Sequence, residues 1–124
     1  MVESQAQYDH SKVAMAKSSN RERKSPTQRS VQKLHTDQYQ LVWITEFFAY
    51  GKRHDLFGFG DILALKKGEI LLVQTTTYSN VSARVKKITE HENVGHVRDA
   101  GIRIVVHGWH KKNDAWICRE VDLS

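Results

Sequence analysis

The sequence predicts one α/β domain, a mixed and twisted sheet flanked by helices, with an extra strand at its C-terminal end. Three observations predict it. The chain has 124 residues, room for one hydrophobic core and not for two. Its hydrophobic period changes from helical spacing at Val31 and Leu34 to a β-branched and aromatic run over 40–48. Beyond that run the elements read strand, strand, helix, strand, strand, an alternation that lays helices on a sheet.

Each element has its own signal. Ser25-Pro26 joins an N-cap residue to a proline at the first helical position, so a helix is expected over about 26–36. Residues 40–48 carry Leu41, Val42, Trp43, Ile44, Phe47 and Phe48 and read as one strand. Residues 50–54 form a basic turn, and 55–65, D-L-F-G-F-G-D-I-L-A-L, read as a second strand. Lys66-Lys67-Gly68 turns the chain into a third strand over 69–77, making a hairpin. Ser79-Asn80 opens a helix over about 80–92 with Val81, Val85 and Ile88 on one face. A short helical piece over 93–100 stops at Gly101, and strands over 102–109 and 115–121 complete the domain at 26–124.

Residues 1–25 differ in kind. They hold five basic and three acidic side chains with little apolar content, which predicts an arm rather than a core element. Arg21, Arg23 and Lys24 in that arm suit a phosphate backbone or a solvated tail equally. Over the whole chain, 19 basic residues against 14 acidic give a net charge of +5, a balance that favours polyanions such as nucleic acid or is ordinary surface charge for solubility. No apolar run approaches the ~18 residues of a membrane span, so no membrane partner is expected. The first 25 residues show no apolar stretch of a secretory signal. The single cysteine, Cys118, leaves no internal disulfide and no all-cysteine zinc site, and the expected compartment is a reducing cytoplasm.

The chemistry is expected in the hairpin. Asp61 enters an apolar strand, where a buried carboxylate needs a partner or a metal. Gln74 and Thr76 interrupt the apolar run of the neighbouring strand and, two residues apart, share a face. A register that sets Asp61 beside them makes a hard-cation site of carboxylate, amide and hydroxyl oxygens, suited to Mg2+ or Mn2+. On the other reading, Gln74 and Thr76 mark a strand end and Asp61 a turn. Seven histidines offer no zinc spacing, and neither a hydrolase triad nor a phosphate-binding glycine loop is present.

The motifs G-D-I-L-A-L and I-L-L-V-Q-T-T resemble the core of the PD-(D/E)xK nuclease superfamily, restriction-endonuclease-like proteins with an αβββαβ core. They are most similar to its Holliday-junction-resolvase type and to small phage and prophage proteins with D-L-F-G-F-x-D and V-Q-T-T-x-x-S-N-x-x-x-R-x-x-K-I; here those stretches are 55–61 and 73–88. The resemblance places Asp61 at the motif's metal-binding acid, Gln74 where a second acid stands and Thr76 where a lysine stands. Gln74 brings an oxygen without a charge, and Thr76 brings no ammonium. Lys87 and Arg84, three apart on the following helix, are the replacement cations, or else form a solvated helix face. Asp55 and Glu46 are the spare carboxylates that would complete a metal shell. Arg53, His54, Arg84 and Lys87, with the arm's Arg21, Arg23 and Lys24, would neutralise DNA phosphates. The resemblance thus implies a divalent-metal-dependent, structure-selective DNA endonuclease, with Asp61, Gln74, Thr76 and Lys87 in the catalytic set. Resolvase-like folds pair two active sites, which implies a homodimer. The departures at Gln74 and Thr76 imply the alternative, a catalytically inactive module of the same fold that binds DNA or a protein.

Overall fold

The computed structural model describes residues 24–124. The order is α1 (Pro26–Thr36), β1 (Leu41–Ile44), β2 (Phe47–Ala49), β3 (Lys52–His54), β4 (Ile62–Lys66), β5 (Glu69–Thr77), a 3-10 turn (Tyr78–Asn80), α2 (Val81–Thr89), α3 (Val94–Asp99), β6 (Arg103–Lys112) and β7 (Ala115–Asp122). The five-stranded sheet runs β1-β4-β5-β6-β7, while β2 and β3 pair only with each other. The sheet is mixed: β5 and β6 are parallel, and the other three pairings are antiparallel.

The N-terminal helix starts as its sequence dictates. Ser25 caps it by accepting the Gln28 amide, and the Gln28 side chain returns the bond to the Ser25 amide. It buries Ser30, Val31 and Leu34 against one face of the sheet, packed with Val42, Ile62, Ala64, Leu71, Val73 and Val105. The opposite face is covered by α2 and α3, where Val81, Ile88, Val94 and Val97 meet Phe59, Leu72, Ile104 and Val106. Central strand β5 is therefore covered on both faces, and its residues 71–76 are all buried. That double cover is why it reads as an unbroken apolar run rather than an alternation.

Four expectations are corrected. The strand predicted over 40–48 is two strands, because the chain bends at Thr45-Glu46 between β1 and β2. The basic turn over 50–54 narrows to Tyr50-Gly51, with Lys52, Arg53 and His54 forming β3 against β2. The strand predicted over 55–65 begins only at Ile62, since residues 56–60 fold into a tight loop in which Leu56 and Gly60 exchange both main-chain hydrogen bonds at 2.8 Å. Phe57 and Gly58 take positive φ (58° and 95°) in that loop, and Phe59 drops into the core with no exposure. Alternating apolar residues produced the strand pattern, but the second of them is a plug and not a pleat. The helix expected over 80–92 is shorter, 81–89: the 3-10 turn takes its first residue, and the chain turns away after Thr89. Among the described residues no helix is long and apolar enough to cross a membrane.

Candidate metal centre

Asp61 sits where β4 begins, held from both sides. Its amide donates to the Val73 carbonyl (2.8 Å) and its carbonyl accepts the Thr45 amide (2.8 Å), so the residue is locked between β1 and β5. The side chain is fully buried. Its Oδ2 accepts the Gln74 side-chain amide at 2.6 Å, the Thr75 main-chain amide at 2.9 Å and the Thr75 hydroxyl at 3.1 Å. The Thr27 hydroxyl of α1 in turn meets the Thr75 hydroxyl at 2.8 Å, which ties the start of that helix to the same carboxylate. Thus one oxygen of Asp61 is saturated and oriented. The other, Oδ1, has no hydrogen-bond partner among the described residues, and neither has Gln74 Oε1.

Two more carboxylates arrive from the ends of the β2–β3 ribbon. Glu46 lies in the bend just before β2 and Asp55 just after β3. With Asp61 they offer oxygen atoms that all lie within 4.8 Å of one another. Along an extended strand, Asp55 and Asp61 would stand about 20 Å apart; the loop over 56–60 turns that separation into a contact. Such crowding shows in Asp61, whose pKa is pushed up to about 6, first by burial and then by the charges of Asp55 and Glu46, against the opposing hydrogen bonds from Thr75 and Gln74.

Cations stand around the carboxylates. Arg53 Nε lies 3.2 Å from Glu46 and 3.8 Å from Asp55, and Lys87 Nζ reaches across from α2 to 3.6 Å from Asp55. One turn earlier on that helix, Arg84 Nε donates to the Thr76 hydroxyl at 3.4 Å. A cleft of about 280 Å³ opens beside the cluster, lined by Ser25, Thr27, Glu46, Arg53, Thr75 and Arg84 among others.

The donor set fits a hard divalent cation. Three carboxylates and a free amide carbonyl are all oxygen ligands, the preference of Mg2+, Mn2+ and Ca2+ rather than of zinc or copper. The buried Asp61 Oδ1 without a partner carries an unmet desolvation cost that a cation held by the three carboxylates would relieve. The acidic triad Glu46, Asp55 and Asp61 can hold a metal ion, and nothing in its geometry singles out which one.

The residues singled out in the sequence are distributed as follows. Asp61, Gln74, Glu46 and Asp55 meet at the cluster, with Lys87 and Arg53 against it. Thr76 does not touch Asp61; its hydroxyl serves Arg84, and the threonine on Asp61 is Thr75. His54 is turned to the ribbon itself, with Nε2 paired to the Ala49 carbonyl (3.0 Å) and its ring stacked on Phe47. Lys24 donates to Gln32 along α1 at 2.9 Å. Arg21 and Arg23 lie outside the described residues. Thr75 and Thr27 were not foreseen. Strand parity sends Thr75 to the α1 face, away from Gln74, and only the carboxylate's position at the end of the β4 ladder lets it accept from both. No family model, curated protein or solved structure matches this chain. The geometry of the site therefore carries the functional reading.

Proposed function

We propose that the protein is a divalent-metal-dependent DNA endonuclease built on a PD-(D/E)xK-like core. The observation that carries this reading is the meeting of Glu46, Asp55 and Asp61 within 4.8 Å, with an unpartnered amide oxygen on Gln74 and the Lys87 ammonium 3.6 Å from Asp55. The element order supports it too: with the ribbon set aside as an insertion, α1, β1, β4, β5, α2 and β6 run in the order αβββαβ.

In this reading the chain's residues divide the work. Glu46, Asp55, Asp61 and Gln74 would hold the ion. When bound, Mg2+ or Mn2+ supplies Lewis acidity to the scissile phosphate and lowers the pKa of a bound water. Gln74 and Thr75 favour the charged form of Asp61 against its burial, and aim it, by donating to one oxygen and leaving the other free. Lys87 takes the place of the motif lysine from α2, supplying the positive charge that Thr76 lacks against the charge developing on phosphorus. Arg53 and Arg84, on the wall of the adjoining cleft, neutralise flanking phosphates.

A second reading has its own observation. Arg53 and Lys87 already pair with the carboxylates, so the cluster is partly neutralised by the protein's own cations. On this reading the chain is a catalytically inactive DNA-binding module in which that network is structural. One experiment separates the two. Wild type and Asp61→Asn are incubated with labelled duplex, single-strand, flap and four-way DNA in Mg2+, Mn2+ or EDTA. The nuclease reading expects metal-dependent cutting that Asp61→Asn lowers by at least about a hundredfold. DNA binding without cutting in any metal, indifferent to Asp61→Asn, would establish the inactive module instead.

A further inference from the structure

The ribbon that delivers Glu46 and Asp55 has a surface of its own. Its two strands pair Phe47 with His54, Phe48 with Arg53 and Ala49 with Lys52, and Tyr50-Gly51 closes them with φ of 53° and 77°, the signature of a tight hairpin turn. The ribbon is a two-stranded sheet apart from the main one, and its aromatic side chains face outward: Phe48 is 78% exposed and Tyr50 96% exposed. Apolar area of this kind, concentrated on one small projection, marks an interaction surface rather than a core.

Its position and charge say what that surface fits. Residues two apart along a strand share a face, and residues paired across two strands share a face. Glu46 and Phe48 are therefore on one side of the ribbon, together with Arg53 opposite Phe48 and Asp55 beyond it. The side that carries two of the site carboxylates at its base carries Phe48 farther out. Between residues 47 and 54 the charged side chains are Lys52, opposite Ala49 on the other side of the ribbon, and Arg53, which shares the Phe48 side and reaches back to Glu46 and Asp55 at the base. Flat aromatic rings beside cations are the chemistry that holds nucleobases by stacking and their phosphates by charge. Base faces are open for stacking only where DNA is unpaired.

We propose that the β2–β3 ribbon is a base-stacking finger that takes unpaired nucleotides of single-stranded or splayed DNA on Phe48 and Tyr50, with Arg53, which shares the Phe48 side, on the neighbouring phosphate. The proposal deepens the nuclease reading by naming the part of the substrate that enters beside the metal centre, and it rests on that reading's assignment of DNA as the ligand. It requires no catalysis, because the finger binds whether or not a phosphate is cut.

The test measures binding in EDTA, so loss of cleavage cannot be mistaken for loss of the finger. Fluorescence anisotropy of wild type and of the double variant Phe48→Ala/Tyr50→Ala is read on a single strand, a fully paired duplex and a duplex with a splayed end, at fixed salt. A 2-aminopurine at the unpaired position reports stacking directly. The expected result is at least about a tenfold loss of affinity for the single strand and the splayed duplex, with the paired duplex changed less than about twofold. Quenching of 2-aminopurine by wild type should disappear in the variant. Equal losses on all three DNAs, or none, would overturn the finger while leaving the metal-centre reading standing. Failure of the wild type to bind any DNA removes both. Light scattering of both proteins completes the test: a wild-type dimer that becomes monomeric in the variant means a second copy of the chain covers the ribbon, and the proposal is wrong.

Discussion

Asp61 illustrates how one buried residue can be costly to the fold and necessary to the site. Its carboxylate is fully buried, with one oxygen satisfied threefold and the other unsatisfied. Its folded-state pKa is raised to about 6 from an ordinary value near 4. The native state thus holds a proton here more tightly than the unfolded chain does. Its favourable contribution is complete below pH about 4 and is lost as pH rises through 6, on the order of 2–3 kcal/mol. In chelator, Asp61→Asn should therefore gain stability relative to wild type as pH rises from 4 to 7, readable as the difference between two urea-denaturation series. Added Mn2+ at pH 7 should raise the melting temperature of wild type and leave Asp61→Asn unmoved. At the same scale, the nuclease reading expects Lys87→Ala to cut cleavage by about a hundredfold while weakening DNA binding only modestly, and Lys87→Arg to restore part of the rate. Equal damage to binding and cleavage would reduce Lys87 to a phosphate contact.

The decisive element is the loop over 56–60. It closes with two hydrogen bonds between Leu56 and Gly60, is plugged by Phe59, and sets Asp55 against Asp61. Its tightest point is Gly58, at φ 95°, where a Cβ would come within 2.2 Å of His91 Nε2 on the turn after α2. Gly58→Ala should destabilise the protein by about 1–3 kcal/mol and weaken Mn2+ binding at least tenfold, because Asp55 must shift with the loop. Gly68→Ala is the matched control. Its φ is also positive (77°), but a Cβ there meets nothing within 4 Å, and the β4–β5 turn lies at the end of β4 away from Asp61. It should cost about 1 kcal/mol and leave metal affinity unchanged, as isothermal titration would show.

Across the whole molecule, a second buried polar group holds the layers together. Ser30 of α1 accepts Trp109 Nε1 at 2.9 Å and meets His107 Nδ1 at 2.8 Å, joining the helix to β6 inside the core. Burial first, and then the nearby Lys33 charge against the weaker pull of Asp37, lower the His107 pKa to about 4. Glu120, 3.9 Å from its Nε2, therefore faces a neutral ring at neutral pH. A depressed histidine contributes stability that is present above pH about 6.5 and lost as pH falls towards 4, on the order of 3 kcal/mol. His107 and Asp61 thus tilt the acid limb in opposite directions, and His107→Gln should flatten the loss that Asp61 partly masks. Ser30→Ala, which strands two buried ring nitrogens, should cost about 2–3 kcal/mol by chemical denaturation. Charge acts at the same scale: on the nuclease reading DNA affinity should fall steeply with salt, and Arg84→Ala should lower the slope by about one unit.

What the sequence determined by itself is local. The capped start of α1, the apolar run of β5, the turn at Gly68 and the order of the helices and of the five main-sheet strands all follow from neighbours in the chain, through propensity, capping and period. The pairing of Asp61 with Gln74 was also legible, because a hairpin with a short turn leaves its register little freedom. The helix positions of Arg84 and Lys87 on one face needed only the 3.6-residue period. Tertiary structure decided the rest. Residues 55–61 alternate like a strand, and only the burial of Phe59 under α2 and α3 makes them a loop, which is what brings Asp55 to the centre. The bend at Thr45-Glu46 arises because Thr45 binds the main chain at residues 60 and 61, a long-range contact without a sequence signal. Thr75 joins Asp61 although strand parity points it elsewhere, since a carboxylate at the end of a ladder can accept the bonds that the next carbonyl would have taken. The ligand types were written in the chain, and their convergence required the core to close around them.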